Sequence, residues 1–311
     1  MRCRVAIALL ATATVLSALL PGIARAQSGY GSNASSAAFC DKSRQTSANE
    51  QDRILLFSAA IRDELDASGS DTVIISRSGL DLSRFHIRYS HSAIATKSDT
   101  GTWTVRQLYY ACDEGHPRIF DQGLAGFAAG SDNPKLGYMS ILLMPADSAK
   151  TVRQASQDAA RALGLLATTY SANAYAFSTL YQNCNQWVIE LLAIAWGNLT
   201  GSGDTRTGAQ QWLREADYDP MPVNVNSGIL MIASAFTPML HLNDHPDDER
   251  EAMRLKVSLP STIETFVRQR LPDSQHIELC HNDKQIVVHH GWVPIAEGCQ
   301  PGDGDRVLSF D

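Results

Sequence analysis

No run of four lysines or arginines occurs anywhere in the 311 residues, and acids outnumber bases 33 to 26. A nucleic-acid surface needs a clustered basic excess to neutralise phosphates, so that class of partner is not expected. Prolines number only 12, and charged residues make up 19% of the chain against 44% apolar ones. A chain this apolar can bury enough surface to offset its ordering entropy, which excludes a disordered protein. Three catalytic signatures are also missing: a phosphate-cradling glycine loop, a GxSxG turn for a serine nucleophile, and HExxH for zinc. No internal repeat is visible, and past the N-terminus no segment reaches membrane-spanning length. Cysteine is scarce too, at six.

The count becomes five once the N-terminus is read. Met1-Arg2-Cys3-Arg4 precedes an apolar stretch over 5–20, then Pro21-Gly22 and Ala24-Arg25-Ala26. A short basic start, an apolar middle and small residues at the cleavage positions describe a secretory signal over 1–26. An uncleaved anchor is the alternative, since the stretch is nearly long enough to span; Pro21-Gly22 and the small-x-small site favour cleavage. Loss of Arg2, Arg4 and Arg25 leaves 33 acids against 23 bases, a net charge of -10. The expected location is periplasmic or secreted, with a soluble mature chain.

Export places Cys40, Cys112, Cys184, Cys280 and Cys299 in an oxidising compartment, where cysteines usually pair. Five cannot all pair. Cys280 and Cys299 flank a predicted hairpin and are expected to be joined; Cys40–Cys112 is the weaker pairing, and connectivity does not follow from sequence alone. Cys184 is left over, either as an inert buried thiol or as a reactive one.

Residues 27–40 read as a disordered leader rich in serine, glycine and asparagine. Apolar spacing predicts helices over 46–65, 147–169, 186–196 and 260–270, and strands over 71–76, 88–97, 102–111 and 137–144. The apolar stretch 228–240 reads as a kinked helix, 244–250 as an exposed acidic turn, and 277–289 as a closing hairpin. The irregular alternation points to the α+β class, with a core over 41–200 and a C-terminal extension over 201–311 packing on it.

Cys184 falls in the predicted first turn of an apolar helix, where the helix N-terminus is expected to lower a thiol pKa and to offer N–H groups to an oxyanion. His91 is the leading proton partner. It opens a strand among the small residues Ser90, Ser92 and Ala93, which leave room for another element. If the hairpin pairs Thr96 with Thr102, Gln107 lies opposite His91 and orients the ring as a third member; a one-residue slip puts Leu108 there instead.

A strand opening Ser-His-Ser-Ala-Ile, followed 93 residues later by Asn-Cys-Asn-Gln-Trp-Val-Ile-Glu-Leu-Leu, resembles the circularly permuted papain-like group. That group contains the permuted NlpC-type hydrolases and relatives of lecithin–retinol acyltransferase. The resemblance spans roughly residues 70 to 200 and implies a helix bundle packed on a small antiparallel sheet; the C-terminal helical and disulfide-hairpin extension after Gly201 has no counterpart in that fold. It implies Cys184 as nucleophile and His91 as base, with Gln107 as a guess for the third residue. More narrowly, Tyr109-Tyr110-Ala111-Cys112-Asp113, 119–124, Gln182-Asn183-Cys184-Asn185 and the Cys280–Cys299 hairpin resemble an uncharacterised family of exported bacterial proteins.

Competing constellations are thinner. His241 and His245 sit near Asp244 and Asp247 at helix-like ligand spacing, but Pro238 and Pro246 interrupt any helix there. Of His281, His289 and His290, at most one of the last two joins a site, because neighbours on a strand face opposite ways. Gly302-Asp303-Gly304-Asp305 lacks the spaced ligands of a calcium loop and reads as a turn. The expectation is an exported thiol hydrolase or acyltransferase acting on an amide or ester, with no cofactor and no metal. A cell-wall peptide is favoured over a lipid as its substrate. The alternative is a non-catalytic periplasmic binding or envelope-assembly module in which His91 and Cys184 are ordinary core residues.

Overall fold

A capping box opens the first helix. Ser47 Oγ accepts the Glu50 N–H while the Glu50 carboxylate accepts the Ser47 N–H at 2.8 Å, and α1 runs Ala48–Ala67. The computed structural model describes residues 46–111, 114–199, 205–228, 231 and 239–310. The expected signal and leader, most of the 228–240 stretch, and Cys40 and Cys112 with their expected pairing, lie outside the described residues.

The elements after α1 are β1 (Thr72–Arg77), β2 (His91–Lys97), β3 (Trp103–Ala111), β4 (His116–Gly123), α2 (Leu124–Ala128) and β5 (Gly137–Leu143). Then come α3 (Ala146–Gln157), α4 (Ala159–Gly164), α5 (Cys184–Gly197), α6 (Thr205–Glu215), β6 (Met221–Asn224), α7 (Asp247–Glu251) and β7 (Arg254–Val257). The chain closes with α8 (Pro260–Arg270), β8 (Gln275–His281), β9 (Gln285–His290) and β10 (Arg306–Ser309). The class is α+β, but the sheet is not small. Eight antiparallel strands run in the order β10-β9-β8-β5-β1-β2-β3-β4. Strands β8–β10 come from the segment after residue 200, and β8 pairs with β5 from Gly137↔His281 to Leu143↔Gln275, so both halves of the chain share this sheet.

Helices cover both faces, and strand alternation sorts the side chains between them. Ile74, Ile94, Leu108 and Leu142 pack against α3, α5 and α8. Val73, Ile75, Ala93, Ala95 and Ile141 pack against Phe57, Ile61 and Leu65 of α1 and Phe127 of α2. Every residue of β1 and β5 is buried, as for strands covered on both sides. The helix α5 is apolar almost all round, and buried accordingly, from Cys184 to Ile194.

Two local departures have clear causes. The single helix expected over 147–169 breaks at Asp158, whose ψ is 108°. Its carboxylate accepts the N–H groups of Ala160 (2.9 Å) and Arg161 (3.2 Å), so it caps a new helix instead of continuing the old one. The acidic segment near 244–250 contains the short helix α7 rather than a turn alone. Cys280 and Cys299 form the expected disulfide. A separate two-stranded sheet, β6–β7, stands beside the N-terminal end of α5, where Asn183 Nδ2 donates to the Ser258 carbonyl just past β7.

Candidate active site

Cys184 is the first residue of α5, two residues earlier than the expected helix start. Asn183 caps the helix by accepting the Gln186 N–H at 2.7 Å. Cys184 is buried and is the free cysteine among the described residues. Asn185, the next residue, joins the helix to β2. Its Oδ1 accepts the Ser92 N–H at 2.9 Å, and its Nδ2 donates to the Ser90 carbonyl at 3.1 Å. These are the backbone groups on either side of His91. Asn185 therefore fixes the His91 backbone beside the helix start, and the thiol donates weakly to the same Ser90 carbonyl at 3.8 Å.

The thiol does not have the lowered pKa expected of a helix N-terminus. Burial pushes it up to about 11; the Arg77 charge and the backbone N–H groups of Asn185, Ser92 and Cys184 itself act in the opposite sense and do not prevail. Those N–H groups nonetheless face the sulfur. The Tyr170 hydroxyl hydrogen-bonds to the sulfur too, and burial holds that phenol well above its ordinary value.

His91 opens β2 and is 1% exposed. Its Nε2 hydrogen-bonds Gln107 Oε1, which makes Nε2 the protonated nitrogen and places the lone pair on Nδ1. Burial, and then the Arg77 charge, holds the ring well below its ordinary pKa, against the upward pull of Gln107. The register that brings Gln107 here is not the expected one. Thr96 pairs with Thr104, not Thr102, so continuation of the ladder sets Gln107 across from Ala93. A shift of two residues preserves the face, and the long Gln107 side chain reaches His91 diagonally. Leu108 packs into the opposite core, the one that holds Cys184, while the His91 ring lies beside Phe127 on the α1–α2 side of the sheet. The thiol and the ring meet only at the cavity, and the thiol's hydrogen bond goes to the Ser90 carbonyl rather than to the ring.

The sequence reading missed two site residues, Arg77 and Asn185. Arg77 is the cross-strand partner of His91, fully buried, with its guanidinium 5.3 Å from the Phe127 ring centroid. It donates to the carbonyls of Gly130 and Ser78. A Cβ at Gly130 would lie 2.6 Å from the guanidinium, so a larger residue there would push the Arg77 side chain from its place. Burial lowers the Arg77 pKa to about 10, still charged at neutral pH. The available signal for Arg77 was a charge closing an otherwise apolar strand; for Asn185 it was an amide on each side of the cysteine.

Cys184 and His91 line one cavity of about 440 Å³, together with Ser90, Tyr170, Asn173 and Asn185. The histidines weighed for other roles lie elsewhere. His245 is held between the Asn173 carbonyl (2.7 Å) and Glu249 (3.2 Å), and His241 stacks on Tyr181. His289 bonds Asp305 within the C-terminal turn at 2.6 Å, His290 contacts Glu64, and His281 is buried against Phe57. Among the described residues, no group of three or more His, Cys, Asp or Glu is arranged to hold a metal ion.

A family model described as an uncharacterized protein conserved in bacteria (DUF2145) matches residues 64–267 of the 311. The match includes Arg77, His91, Gln107, Cys184 and Asn185 and stops before the disulfide hairpin. No curated protein and no solved structure matches the chain.

Proposed function

The chain belongs to the DUF2145 family, and from that premise we propose that it is an exported thiol enzyme that transfers or hydrolyses acyl groups through Cys184 and His91. The observation that carries the reading is the meeting of three features at one cavity. These are a free cysteine at a helix start, a neutral buried histidine whose Nε2 is held by an amide oxygen, and backbone N–H groups around the sulfur. The order of histidine strand before cysteine helix supports a permuted papain-like arrangement, in which Gln107 fills the place of the orienting residue. The N-terminal pattern supports export.

In this mechanism His91 Nδ1 takes the Cys184 proton through a water in the shared cavity as the sulfur attacks the acyl carbonyl. An S–C bond forms, and the oxyanion is held by the N–H groups of the first turn of α5. The C–O or C–N bond of the substrate then breaks, and the leaving group takes the proton back from His91. Water, deprotonated by His91, or another acceptor adds to the thioester and releases the acyl group with the thiol restored. A raised thiol pKa and a lowered histidine pKa mean that the resting pair is neutral. Proton transfer therefore accompanies attack rather than preceding it. Arg77 acts through its charge, favouring the thiolate as it forms and keeping the ring unprotonated beforehand.

The same burial favours a second reading, a non-catalytic envelope module in which the thiol is inert. Intact mass of the folded protein after incubation with p-nitrophenyl butyrate at neutral pH separates the two. The catalytic reading expects a thioester on Cys184, absent in Cys184→Ala and formed at least about 100-fold more slowly in His91→Ala. No adduct, or an adduct formed equally fast in His91→Ala, assigns the thiol to the second reading.

A further inference from the structure

Away from its Cys184 end, the cavity is walled by aliphatic side chains from three separate parts of the chain. Leu80 and Ile87 come from the segment between β1 and β2, Val223 from β6, and Leu255 and Val257 from β7, with Leu259 just beyond. The charged lining residues are Asp81 and Arg84, both exposed. Leu255, Val257 and Leu259 form an apolar cluster whose partners Ile87, Val223 and Leu242 are only half-buried. Aliphatic groups half-covered around an interior cavity mark a surface kept for an apolar occupant.

We infer that this cavity is an acyl-chain site, holding a medium- or long-chain aliphatic acyl group with its carbonyl at Cys184; the assignment of the reacting end rests on the thiol reading above. A peptide is a poor fit. Each peptide unit brings an N–H and a C=O that must be paired when buried. The facing backbone groups of β6 and β7 pair with each other, the outer edge of β7 is taken by the Ala176 N–H donating to the Lys256 carbonyl, and the polar side chains of the lining gather at the Cys184 end or at the rim. A methylene chain asks for no partners. The preference for a cell-wall peptide over a lipid, drawn from compartment alone, is thereby reversed.

Two measurements on the full chain test this separately from catalysis. Isothermal titration of Cys184→Ala with straight-chain carboxylates reads the chain site without chemistry. Affinity is expected to rise about three- to fourfold for each added methylene up to decanoate. Ile87→Trp, which fills the cavity from a half-buried position, is expected to weaken decanoate at least tenfold with its urea midpoint unchanged. Should Ile87→Trp fail to fold, Val223→Trp serves the same purpose. In the second arm, thioester formation by the native protein is compared for p-nitrophenyl acetate, butyrate and decanoate, and should rise in that order. Chain-length-dependent binding without any thioester leaves the chain site standing and removes the thiol reading. Equal thioester rates for acetate and decanoate, with no decanoate binding, overturn the chain site and leave the thiol reading intact. Saturation of Cys184→Ala by a cell-wall tetrapeptide in place of decanoate overturns it as well.

Discussion

Two buried polar clusters lie on α5, six residues apart, and they are built on opposite principles. At Glu190 every carboxylate lone pair has an assigned partner. Oε2 accepts from Gln182 (2.6 Å) and Arg206 Nε (2.9 Å), and Oε1 accepts from Arg206 Nη2 (3.0 Å) and Gln210 (2.9 Å). The remaining Arg206 donors reach the carbonyls of Thr179, Tyr181 and Ser178 at 2.7 to 3.2 Å. At Cys184 the matching is incomplete: the Gln107 Nε2 is buried without a partner, the thiol is pushed up to about 11, and the neighbouring ring is pushed down. A closed network serves the fold, tying α6 and the 178–182 loop to α5. An imperfectly satisfied one facing a cavity is where chemistry is to be sought.

The largest effect expected from this contrast is at the closed network. Glu190→Ala leaves the Arg206 guanidinium, 4% exposed, without its counter-charge. Breaking one side of a buried pair costs about 3–5 kcal/mol, because an uncompensated charge remains inside. Urea unfolding measures it. A loss below about 1 kcal/mol would show that water or rearrangement compensates Arg206, and the two clusters would then not differ in the way described.

Acid probes the site cluster together with a buried histidine outside both clusters. Burial holds His281 at about 4, against an ordinary 6.5. Its stabilisation is therefore fully present above pH 6.5 and is lost as pH falls toward 4, an effect on the order of 3 kcal/mol. His91 is lowered in the same direction, so it adds to the same slope from the site side of the molecule. Unfolding free energy followed from about pH 7 to pH 4.5 should fall steeply in the native protein, less steeply in His281→Gln or His91→Gln, and least in the double variant. An unchanged slope in His91→Gln would mean that the ring binds its proton equally in the folded and unfolded chains and is not held neutral by the fold.

Where local signals dominate, the sequence was readable. The helix expected at 260–270 is α8 residue for residue, with Pro260 at its first position. Cys280 and Cys299 pair because they flank one hairpin, and the start of α5 was placed within two residues. β4 was missed because it is an edge strand with residues half-exposed on both sides, so His-Pro-Arg-Ile-Phe-Asp-Gln-Gly carries no clean alternation. Arg77 depends on Gly130, 53 residues away, and the cavity on β6 and β7 meeting the segment before β2. The thiol pKa was misjudged for the same reason: a helix start is local, but the burial that outweighs it is tertiary.

The smallest effect sharpens the comparison most. If Cys184 were there for the fold, its removal would be felt as that of any core side chain. Its thiol donates one weak hydrogen bond, to the Ser90 carbonyl at 3.8 Å, and borders a cavity that already exists. Cys184→Ala removes a single sulfur from such a place, so the expected change in unfolding free energy is under about 1 kcal/mol. Asn185→Ala, one residue along and equally buried, leaves the Ser92 N–H and the Ser90 C=O without their side-chain partner, at about 1–3 kcal/mol each. Urea midpoints for the two variants, set beside their thioester yields, divide the roles. Asn185 holds β2 against α5, and Cys184 is dispensable to the fold while indispensable to the thioester. Equal destabilisation by both substitutions would return Cys184 to the core and place it with Glu190 on the structural side of the helix.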